Sequence, residues 1–347
     1  MPSLLSKRIR YTAGFLRRDL IHTNLQLLYK CNFRCKICDF WKDSRDEKML
    51  STAEVEEISR RLYGIGPQIV SIGGGEPLLH PDIAGVVRAL SRHHFPVMIT
   101  NGWFVTEKIA RDIFEAGIDE VSVSVDYAAA GRHDAQRGVP GAFDRALAAL
   151  DILNKSRVHK LQRVHMISVI MEDNLGEVEP LLKICRKMGI TYLVTLYSDG
   201  RGEKESRDIA PDVSAHLLGL KRRYPGFVAL SGYLARFSEA VEKGGIGPCM
   251  AGKNLMNIDN RGRVSLCIDT VNDPVADIFA DSAADIRRKL DQHRAENRCR
   301  SCWTSCRGSL ESFLYGRDLA ANLADYWAMV RPLPLVQKRA VAFSGNG

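Results

Sequence analysis

The 347-residue sequence contains no uninterrupted run of about 18 apolar residues, so it predicts no membrane-spanning helix. The N-terminal segment is too polar for a secretory signal peptide, which favours a cytoplasmic location. With 45% hydrophobic and 26% charged residues, the composition excludes intrinsic disorder and a collagen-like chain. The net charge of +8 permits nucleic-acid binding, but the basic residues are dispersed and form no aromatic–basic platform. We therefore expect no nucleic-acid partner.

Cysteine, in contrast, is abundant. An odd number of nine in a chain without an export signal argues against a disulfide framework. Eight of them form two groups: Cys31, Cys35 and Cys38, then Cys249, Cys267, Cys299, Cys302 and Cys306. This clustering favours metal or iron–sulfur ligation in a reducing compartment over scattered core thiols. The ninth, Cys185, lies in an apolar helical stretch and is interpreted as a small buried hydrophobe.

Strand-like and helix-like segments alternate along the first two thirds of the chain. The predicted strands are 24–30, 68–72, 96–100, 120–125, 163–171 and 191–197. The predicted helices are 51–63, 81–93, 106–116, 141–153, 175–188 and 212–223. The first of these helices opens with a capping box of Ser51 and Glu54. The alternation predicts an α/β fold with a parallel sheet, either an open doubly wound sheet or a full or partial barrel.

A further helix is predicted at the N-terminus, over residues 5–21. One face carries Leu5, Ile9, Thr12, Leu16 and Leu20, and the opposite side carries Lys7, Arg8, Arg10, Arg17 and Arg18. One interpretation is a helix that docks on its own domain. The other is a basic amphipathic helix that contacts an anionic membrane or substrate.

The first cysteine group directly follows the first predicted strand. Its thiolates, at spacings of four and three, can hold three irons of a cubane cluster, whereas a full [4Fe–4S] site normally uses four protein ligands. No fourth cysteine lies nearby, so one iron is left open for a substrate or cosubstrate. The competing interpretation is half of a zinc site that is completed from elsewhere in the chain.

This CxxxCxxC motif, placed after the first strand of a strand–helix repeat, resembles the radical S-adenosylmethionine (SAM) superfamily. In that family the open iron binds the amino and carboxylate groups of SAM. One electron from the cluster cleaves SAM to methionine and a 5′-deoxyadenosyl radical, which abstracts a hydrogen from the substrate. The residue before the third cysteine is usually aromatic in the family, whereas here it is Ile37, with Phe40 and Trp41 close by as apolar cover.

Residues that follow the later strands extend the resemblance. Gly74 and Gly75 allow close backbone approach, and Glu76 can accept a charge-assisted hydrogen bond, as the family's GGE motif does for the SAM amino group. The other residues that the resemblance assigns to SAM or its surroundings are Asn101, Ser124, Asp126, Arg137, Asn174 and Tyr197. Each alone has an ordinary alternative, such as a turn or a helix cap. Together they follow the strands' carboxyl ends, which form the active-site face of βα barrels.

The second cysteine group combines a predicted β-hairpin around Gly262 with a CxxC knuckle and a following helix. Its spacing fits a Cys₄ zinc site as well as an iron–sulfur cluster. The pattern resembles the SPASM/twitch domain of many radical SAM enzymes, in the shorter twitch form with one auxiliary [4Fe–4S] cluster; two clusters or zinc are the alternatives. Five cysteines are one more than four ligands require. Either Cys306 replaces Cys299 or Cys302, or it is a bystander.

The resemblance implies a partial (β/α)6 TIM-like barrel with a smaller C-terminal α+β auxiliary-cluster domain. A polar loop at 198–207 and the end of the strand–helix alternation near residue 228 guide the boundaries. The predicted division is an N-terminal amphipathic helix at 1–23, a radical SAM core at 24–230, a SPASM/twitch domain at 231–320 and a C-terminal extension at 321–347.

The implied function is that of an oxidoreductase-type radical SAM enzyme whose substrate is a small molecule, such as a sugar or a lipid-linked metabolite. The auxiliary cluster would aid oxidation or bond formation. The alternative is a maturase of a ribosomally made peptide or protein side chain. Only 30 residues precede Cys31, too few for a leader-binding domain, which favours a small molecule or a peptide delivered by a partner.

Three further expectations concern partners and class. A flavodoxin or ferredoxin would supply electrons, and the basic N-terminal helix would make peripheral contact with an anionic membrane surface. A non-enzymatic alternative is an iron–sulfur or zinc protein used for scaffolding or electron transfer. Glu76 in its GGEP setting argues against that alternative, because an electron carrier needs no SAM-binding turn.

Overall fold

The computed structural model describes residues 4–42, 48–199, 201–204, 209–316 and 319–336. The strands of its first two thirds are β1 (His22–Leu28), β2 (Ile69–Gly74), β3 (Phe95–Thr100), β4 (Glu120–Ser124), β5 (Arg163–Ile170) and β6 (Thr191–Leu196). They lie in the order β6-β5-β4-β3-β2-β1, with every neighbouring pair parallel. The α/β prediction is therefore confirmed, and the strand carboxyl ends share one edge.

The helices in this part of the chain are α1 (Leu4–Leu16), α2 (Thr52–Ile65), α3 (Ile83–Ser91), α4 (Glu107–Ala116), α5 (Ala130–Arg137), α6 (Ala142–Ser156), α7 (Val178–Met188) and α8 (Val213–Arg223). Helices α2 to α7 form the crossovers between successive strands, whereas α1 precedes β1 and α8 follows β6. The predicted capping box is present, because Ser51 Oγ accepts from the Glu54 amide at 3.2 Å and Glu54 Oε2 accepts from the Ser51 amide at 2.7 Å. The sequence analysis predicts no helix at α5, which is short and largely polar.

The last third of the chain contributes strands to the same sheet. These are β7 (Leu255–Ile258), β8 (Arg263–Ser265) and β9 (Ala276–Asp277), with helices α9 (Ser231–Leu234), α10 (Phe237–Lys243), α11 (Ala283–Glu296), α12 (Ser305–Tyr315) and α13 (Leu319–Val330). The antiparallel pairing of β7 with β8 confirms the predicted hairpin. The same β7 pairs in parallel with β1, so the sheet continues from the barrel strands into the cysteine-rich segment. The domain boundaries after residues 23, 230 and 320 stay predictions.

The N-terminal helix packs on the protein through the side opposite to the predicted apolar face. Lys7 Nζ donates to the carbonyls of Ser91 at 3.0 Å and His94 at 2.7 Å, which lie at the end of α3. Leu5, Ile9 and Leu16 are instead exposed, at 69%, 59% and 75%. The helix therefore docks on its own domain, as the first interpretation expects, but through Lys7 and Tyr11 rather than through Leu5, Ile9 and Leu16, whereas Leu20 of the predicted face is buried. The carbonyls at the end of α3 need a hydrogen-bond donor, which Lys7 supplies and a leucine lacks. Contact with a membrane stays a prediction.

The predicted C-terminal extension lies on the protein surface over its described part. Asp325 of α13 accepts from the Ser231 amide at 2.6 Å and pairs with Lys221, and the Leu333 amide donates to the Lys160 carbonyl at 2.9 Å. Residues 337–347 of this extension, and residues 200 and 205–207 of the predicted polar loop, lie outside the described residues. Over the part of the chain that is described, no helix has the length and apolar character needed to cross a membrane.

Candidate active site

The carboxyl ends of the strands and the C-terminal cysteine segments enclose a cavity of about 790 Å³. All eight clustered cysteines line this cavity. The predicted SAM-binding residues that also line it are Gly74, Gly75, Glu76, Asn101, Ser124 and Arg137. Cys185 lies elsewhere, buried with its Sγ 3.6 Å from Met166 Sδ, as its interpretation as a core thiol requires. The cavity volume falls in the range of small-molecule sites.

Two glycines hold the cavity wall against the segment that leads into the first cysteine. A Cβ atom on Gly74, which has a φ of +115°, would lie 2.1 Å from the Leu28 carbonyl oxygen. A Cβ atom on Gly75 would lie 1.9 Å from the Lys30 carbonyl oxygen. Neither position accepts a side chain, because the obstructing atoms belong to the backbone. The glycines therefore fix the distance between the strand β2 turn and Cys31.

Glu76 is 1% exposed and has a nearly complete set of hydrogen bonds. Its Oε1 accepts from the Leu78 amide at 3.0 Å and from Thr100 Oγ1 at 2.7 Å, and its Oε2 accepts from the Asn101 amide at 2.8 Å. Burial raises the pKa of Glu76 above its ordinary value, and these hydrogen bonds offset part of that rise. A carboxylate has about four acceptor positions, so one remains on Oε2 for a cationic donor from the cavity.

Arg137 connects the first cysteine group to a buried carboxylate. Its Nη2 lies 2.7 Å from Asp126 Oδ2, and its Nη1 lies 3.9 Å from Cys35 Sγ. Asp126 is fully buried, accepts from the Val169 amide at 3.0 Å and does not line the cavity. The geometry gives Asp126 an indirect role, in which it orients and neutralises the guanidinium beside the thiol. Direct contact of Asp126 with SAM stays a prediction.

Two other predicted residues also lie behind the cavity wall. The Asn174 side chain accepts from the Met171 amide at 2.8 Å and donates to the Asp126 carbonyl at 3.1 Å, which stabilises the turn after β5. Tyr197 is buried in a small apolar cluster with Ile37 and Met171. Both residues support the loops of the site, and neither lines the cavity. Their assignment to ribose and adenine stays a prediction.

Burial affects the thiols of both groups in the same way. It raises the pKa of Cys31 and of Cys249 to about 12 and that of Cys267 to about 11, and it raises the pKa of Cys35 and of Cys38. A buried thiol with a raised pKa becomes a thiolate when a bound cation compensates its charge. The donor set therefore fits metal ligation at both places.

Arg307 holds the second cysteine group together, and sequence reasoning did not identify it. This buried guanidinium donates to the Cys302 carbonyl at 2.8 Å and to the Pro248 carbonyl at 3.3 Å, and its Nη1 lies 3.8 Å from Cys302 Sγ. Glu311 accepts from Arg307 Nε at 2.8 Å and from the Met250 amide at 2.9 Å. The Arg307–Glu311 pair thus connects the segment around Cys249 to the segment around Cys302.

A second residue outside the sequence prediction, Arg201, links the barrel to the C-terminal cysteines. It forms a bidentate ion pair with Asp269, at 2.6 Å and 2.8 Å, and both residues line the cavity. The next residue, Gly202, lies so close to the Lys36 carbonyl that a Cβ atom would be 2.4 Å from its oxygen. An arginine–glycine pair just after the sixth strand is the signal that could have marked this loop.

The arrangement of the thiols bears on the kind of metal group. Among the described residues, no three His, Cys, Asp or Glu side chains converge closely enough to share one metal ion. A cubane cluster does not require such convergence, because each thiolate binds its own iron. With three cysteines on one loop and five from the C-terminal segments lining the same cavity, the residues present fit two separate metal groups.

A comparison with protein families identifies the first part of the chain. Residues 25–185 match the family model described as the radical SAM superfamily. These residues include the CxxxCxxC loop, the GGE turn and the strands β1 to β5. Residues 25–185 therefore form a radical SAM domain, the domain of a superfamily of enzymes that use a [4Fe–4S] cluster and SAM.

Similar proteins and structures include both peptide- and heme-related enzymes. The mycofactocin maturase MftC of Mycobacterium tuberculosis (strain CDC 1551 / Oshkosh) is 28% identical over 305 residues, 82% of this chain and 76% of that protein. The AdoMet-dependent heme synthase of Methanosarcina barkeri is 30% identical over 190 residues, 54% of this chain and 53% of that protein. The structure of Streptococcus suis SuiB bound to precursor peptide SuiA has a TM-score of 0.64 at 15% sequence identity. The match covers 82% of this chain and 70% of that chain.

The structural likeness to SuiB confirms the predicted partial TIM-like barrel. The cysteine-rich C-terminal region is consistent with a SPASM/twitch domain. Membership of an enzyme superfamily argues against the scaffold and electron-carrier alternatives.

Proposed function

We propose that this protein is a peptide maturase, which uses radical SAM chemistry to oxidise or cross-link a side chain of a ribosomally made peptide. The observation that carries this proposal is the single cavity lined by both cysteine groups. A substrate residue in that cavity is close to the hydrogen-abstracting centre and to an auxiliary electron acceptor at once. This arrangement supports an oxidation that uses both sites with either class of substrate, and the similarity to MftC favours the peptide alternative over the small-molecule substrate that the sequence analysis prefers.

The similarity to MftC supports the peptide substrate. It covers 82% of the chain, whereas the radical SAM family model covers residues 25–185 alone, so the resemblance to a maturase extends beyond the shared core. The chain-length argument for a small molecule has less weight than this, because a peptide can be delivered by a separate protein. The SuiB structure supports the fold and carries no inference about the substrate.

When bound, the cluster and SAM supply a radical strong enough to remove a hydrogen atom from an unactivated carbon. The chain's own residues position and shield that chemistry. Glu76 would accept the SAM ammonium on its remaining Oε2 position, and Arg137 and Ser124, which line the same cavity, would hold the SAM carboxylate. Phe33, Ile37, Ile99 and Val169 form an apolar wall that limits access of water to the reacting carbon.

The auxiliary site is proposed to hold one [4Fe–4S] cluster that accepts the electron left after hydrogen abstraction. Loss of one hydrogen atom, one electron and one proton from the substrate amounts to a two-electron oxidation. A flavodoxin or ferredoxin would supply the electron for SAM cleavage. The buried Arg307–Glu311 pair and the Arg201–Asp269 pair hold the segments that carry the auxiliary thiols at the cavity wall.

A second candidate is oxidation of a small molecule such as a tetrapyrrole or another metabolite. It is favoured by the 30% identity to a heme synthase, although that similarity covers 54% of this chain. The same cavity would then hold the whole substrate beside SAM. The two candidates differ in whether a free side chain or a complete molecule enters the site.

The test begins with anaerobic reconstitution using iron and sulfide, followed by SAM and dithionite. We expect 5′-deoxyadenosine from the wild type and none above background from a Cys31/Cys35/Cys38→Ala variant. Peptides encoded by small reading frames beside the gene, and protoporphyrin precursors as the competing class, are then added. Loss of two hydrogens from a peptide, seen by mass spectrometry, supports the maturase. Conversion of a tetrapyrrole alone would contradict it.

A further inference from the structure

We propose that Cys249, Cys267, Cys302 and Cys306 ligate the auxiliary cluster and that Cys299, although part of the CxxC pair, does not. This inference rests on the proposed presence of an auxiliary cluster. It selects four ligands from five cysteines, which spacing alone leaves open. The selection depends on how firmly the surrounding structure holds each thiol.

Cys299 is the exposed member of the group. It lies in the loop after α11, at the border of the cavity, and the contacts that place it are local. Its amide donates to Asn297 Oδ1 at 2.9 Å, and its Sγ lies 3.5 Å from Ser301 Oγ. A cluster ligand is normally held in place by packing and hydrogen bonds from other segments, and Cys299 has neither in these contacts.

Cys306 occupies a firmly held position. It lies in the first turn of α12, and the preceding Ser305 amide donates to Thr195 Oγ1 of β6 at 3.0 Å. Buried Thr304 places its Oγ1 3.3 Å from Cys306 Sγ. The first turn of a helix also favours a negative charge, and therefore a thiolate.

The spacing of the C-terminal cysteines is compatible with this choice but does not decide it. Cys302 and Cys306 are four apart, as are Cys31 and Cys35, and Cys299 and Cys302 are three apart, as are Cys35 and Cys38. Both steps therefore occur in both groups of this chain. The exposure of Cys299 is what distinguishes the two pairs.

The remaining two ligands are fixed to this helix or to the barrel. Arg307 donates hydrogen bonds to the Cys302 carbonyl and to the carbonyl of Pro248, the residue before Cys249. Thr270 Oγ1 lies 3.8 Å from Cys267 Sγ, in the turn that Asp269 anchors to Arg201. The four proposed ligands thus belong to one hydrogen-bonded frame that connects β7, β8 and α12 to the core.

Iron content and thiol labelling test the assignment directly. Reconstituted wild type should contain about eight irons per chain, and Cys306→Ala should retain about four, those of the first site. The matched variant Cys299→Ala should retain about eight. Maleimide labelling of the loaded wild type under native conditions should modify Cys299 and leave Cys306 protected. The first-site irons and SAM binding show that each variant is folded.

Two results would overturn the assignment: loss of about half of the iron in Cys299→Ala, or full retention of iron in Cys306→Ala. A wild type with only about four irons, all lost in the Cys31/Cys35/Cys38→Ala variant, would instead remove the auxiliary cluster and the assignment with it. That outcome is visible in the wild-type sample alone. It is therefore distinguishable from a wrong choice among the five thiols.

Discussion

In the first cysteine site, three thiols lie within one loop, whereas in the second they come from segments that extend from residue 249 to residue 306. Both sites nevertheless place a buried guanidinium close to a cysteine sulfur, at 3.9 Å for Arg137 and 3.8 Å for Arg307. Each guanidinium is paired with a carboxylate, Asp126 in one site and Glu311 in the other. A contiguous loop and a discontinuous frame thus use the same electrostatic arrangement around their thiols.

The two sites differ in how many parts of the fold are needed to hold them. The first loop is fixed by β1, β2 and the end of α5, all within the barrel, whereas the second site needs the hairpin, α12 and the barrel together. We therefore expect the first site to tolerate damage to the second. The reverse should not hold for catalysis, because the proposed auxiliary cluster would act only after SAM is cleaved.

The largest expected effect is at the first site. Cys35→Ala removes a proposed ligand of the reactive cluster, so 5′-deoxyadenosine formation should fall to background in a reconstituted assay with SAM and dithionite. Cys185→Ala is the matched control, since its thiol is buried outside the cavity, and it should retain activity. Turnover of SAM by Cys35→Ala at the wild-type rate would disprove the assignment of the reactive site.

A variant of the auxiliary site should separate the two functions. Cys267→Ala should still form 5′-deoxyadenosine but yield no oxidised substrate, because the substrate radical lacks its electron acceptor. Chromatography of both products from one reaction measures the ratio. Equal loss of both products, in a sample that retains the first-site iron, would show that the sites do not act in sequence.

The two buried ion pairs provide the next test. Asp126→Asn and Glu311→Gln each leave a buried guanidinium without its carboxylate, which should lower the free energy of unfolding by about 3 kcal/mol. Denaturant unfolding measures this change, and iron content reports where it acts. Asp126→Asn should lose iron from the first site and Glu311→Gln from the second. A similar loss of iron from both sites in either variant would show that the two sites are not held independently.

The smallest expected effect concerns SAM affinity. Glu76→Gln preserves shape and removes one charge, so SAM should bind about 10- to 100-fold more weakly, as expected for loss of a charge-assisted hydrogen bond. Equilibrium binding of SAM to the loaded protein measures it, with full iron content as the control. An unchanged Kd would exclude Glu76 as the partner of the ammonium group.

The pH dependence of that binding has a defined sign. Burial raises the pKa of Glu76 above its ordinary value of 4.5. Only the ionised carboxylate attracts the ammonium, so affinity should decrease as the pH falls through the raised pKa and level off above it. Glu76→Gln should lack this decrease. A wild-type pH profile identical to that of the variant would contradict the charge-based contact.

Local features of the fold could be predicted from the sequence. The buried Val- and Ile-rich strands, the capping box at Ser51 and the hairpin around Gly262 all depend on residues close together in the chain. The same is true of the first cysteine loop and the GGE turn. Short-range patterns of this kind define geometry within a few residues, so their placement is accessible without a structure.

Contacts between distant residues could not be predicted in this way. Arg201 with Asp269, and Arg307 with Pro248, join segments that no periodicity connects. The N-terminal helix shows the same limit, because Lys7 donates to carbonyls at the end of α3 while Leu5 and Leu16 are left exposed. The choice of a buried face depends on the partner surface, which the helix sequence does not contain.

The pairing of β7 with β1 has a consequence for electron transfer between the two sites. Strand β1 leads into Cys31, and β7 begins the hairpin that ends beside Cys267. The rate of electron tunnelling decreases exponentially with distance. If the distance between the two sites changed when substrate bound, the rate of electron transfer between them would change with it. The continuous backbone ladder from His22 to Leu25 holds the strand that leads into Cys31 against the strand that begins the Cys267 hairpin, and would therefore hold the proposed auxiliary cluster at a fixed distance from the first site.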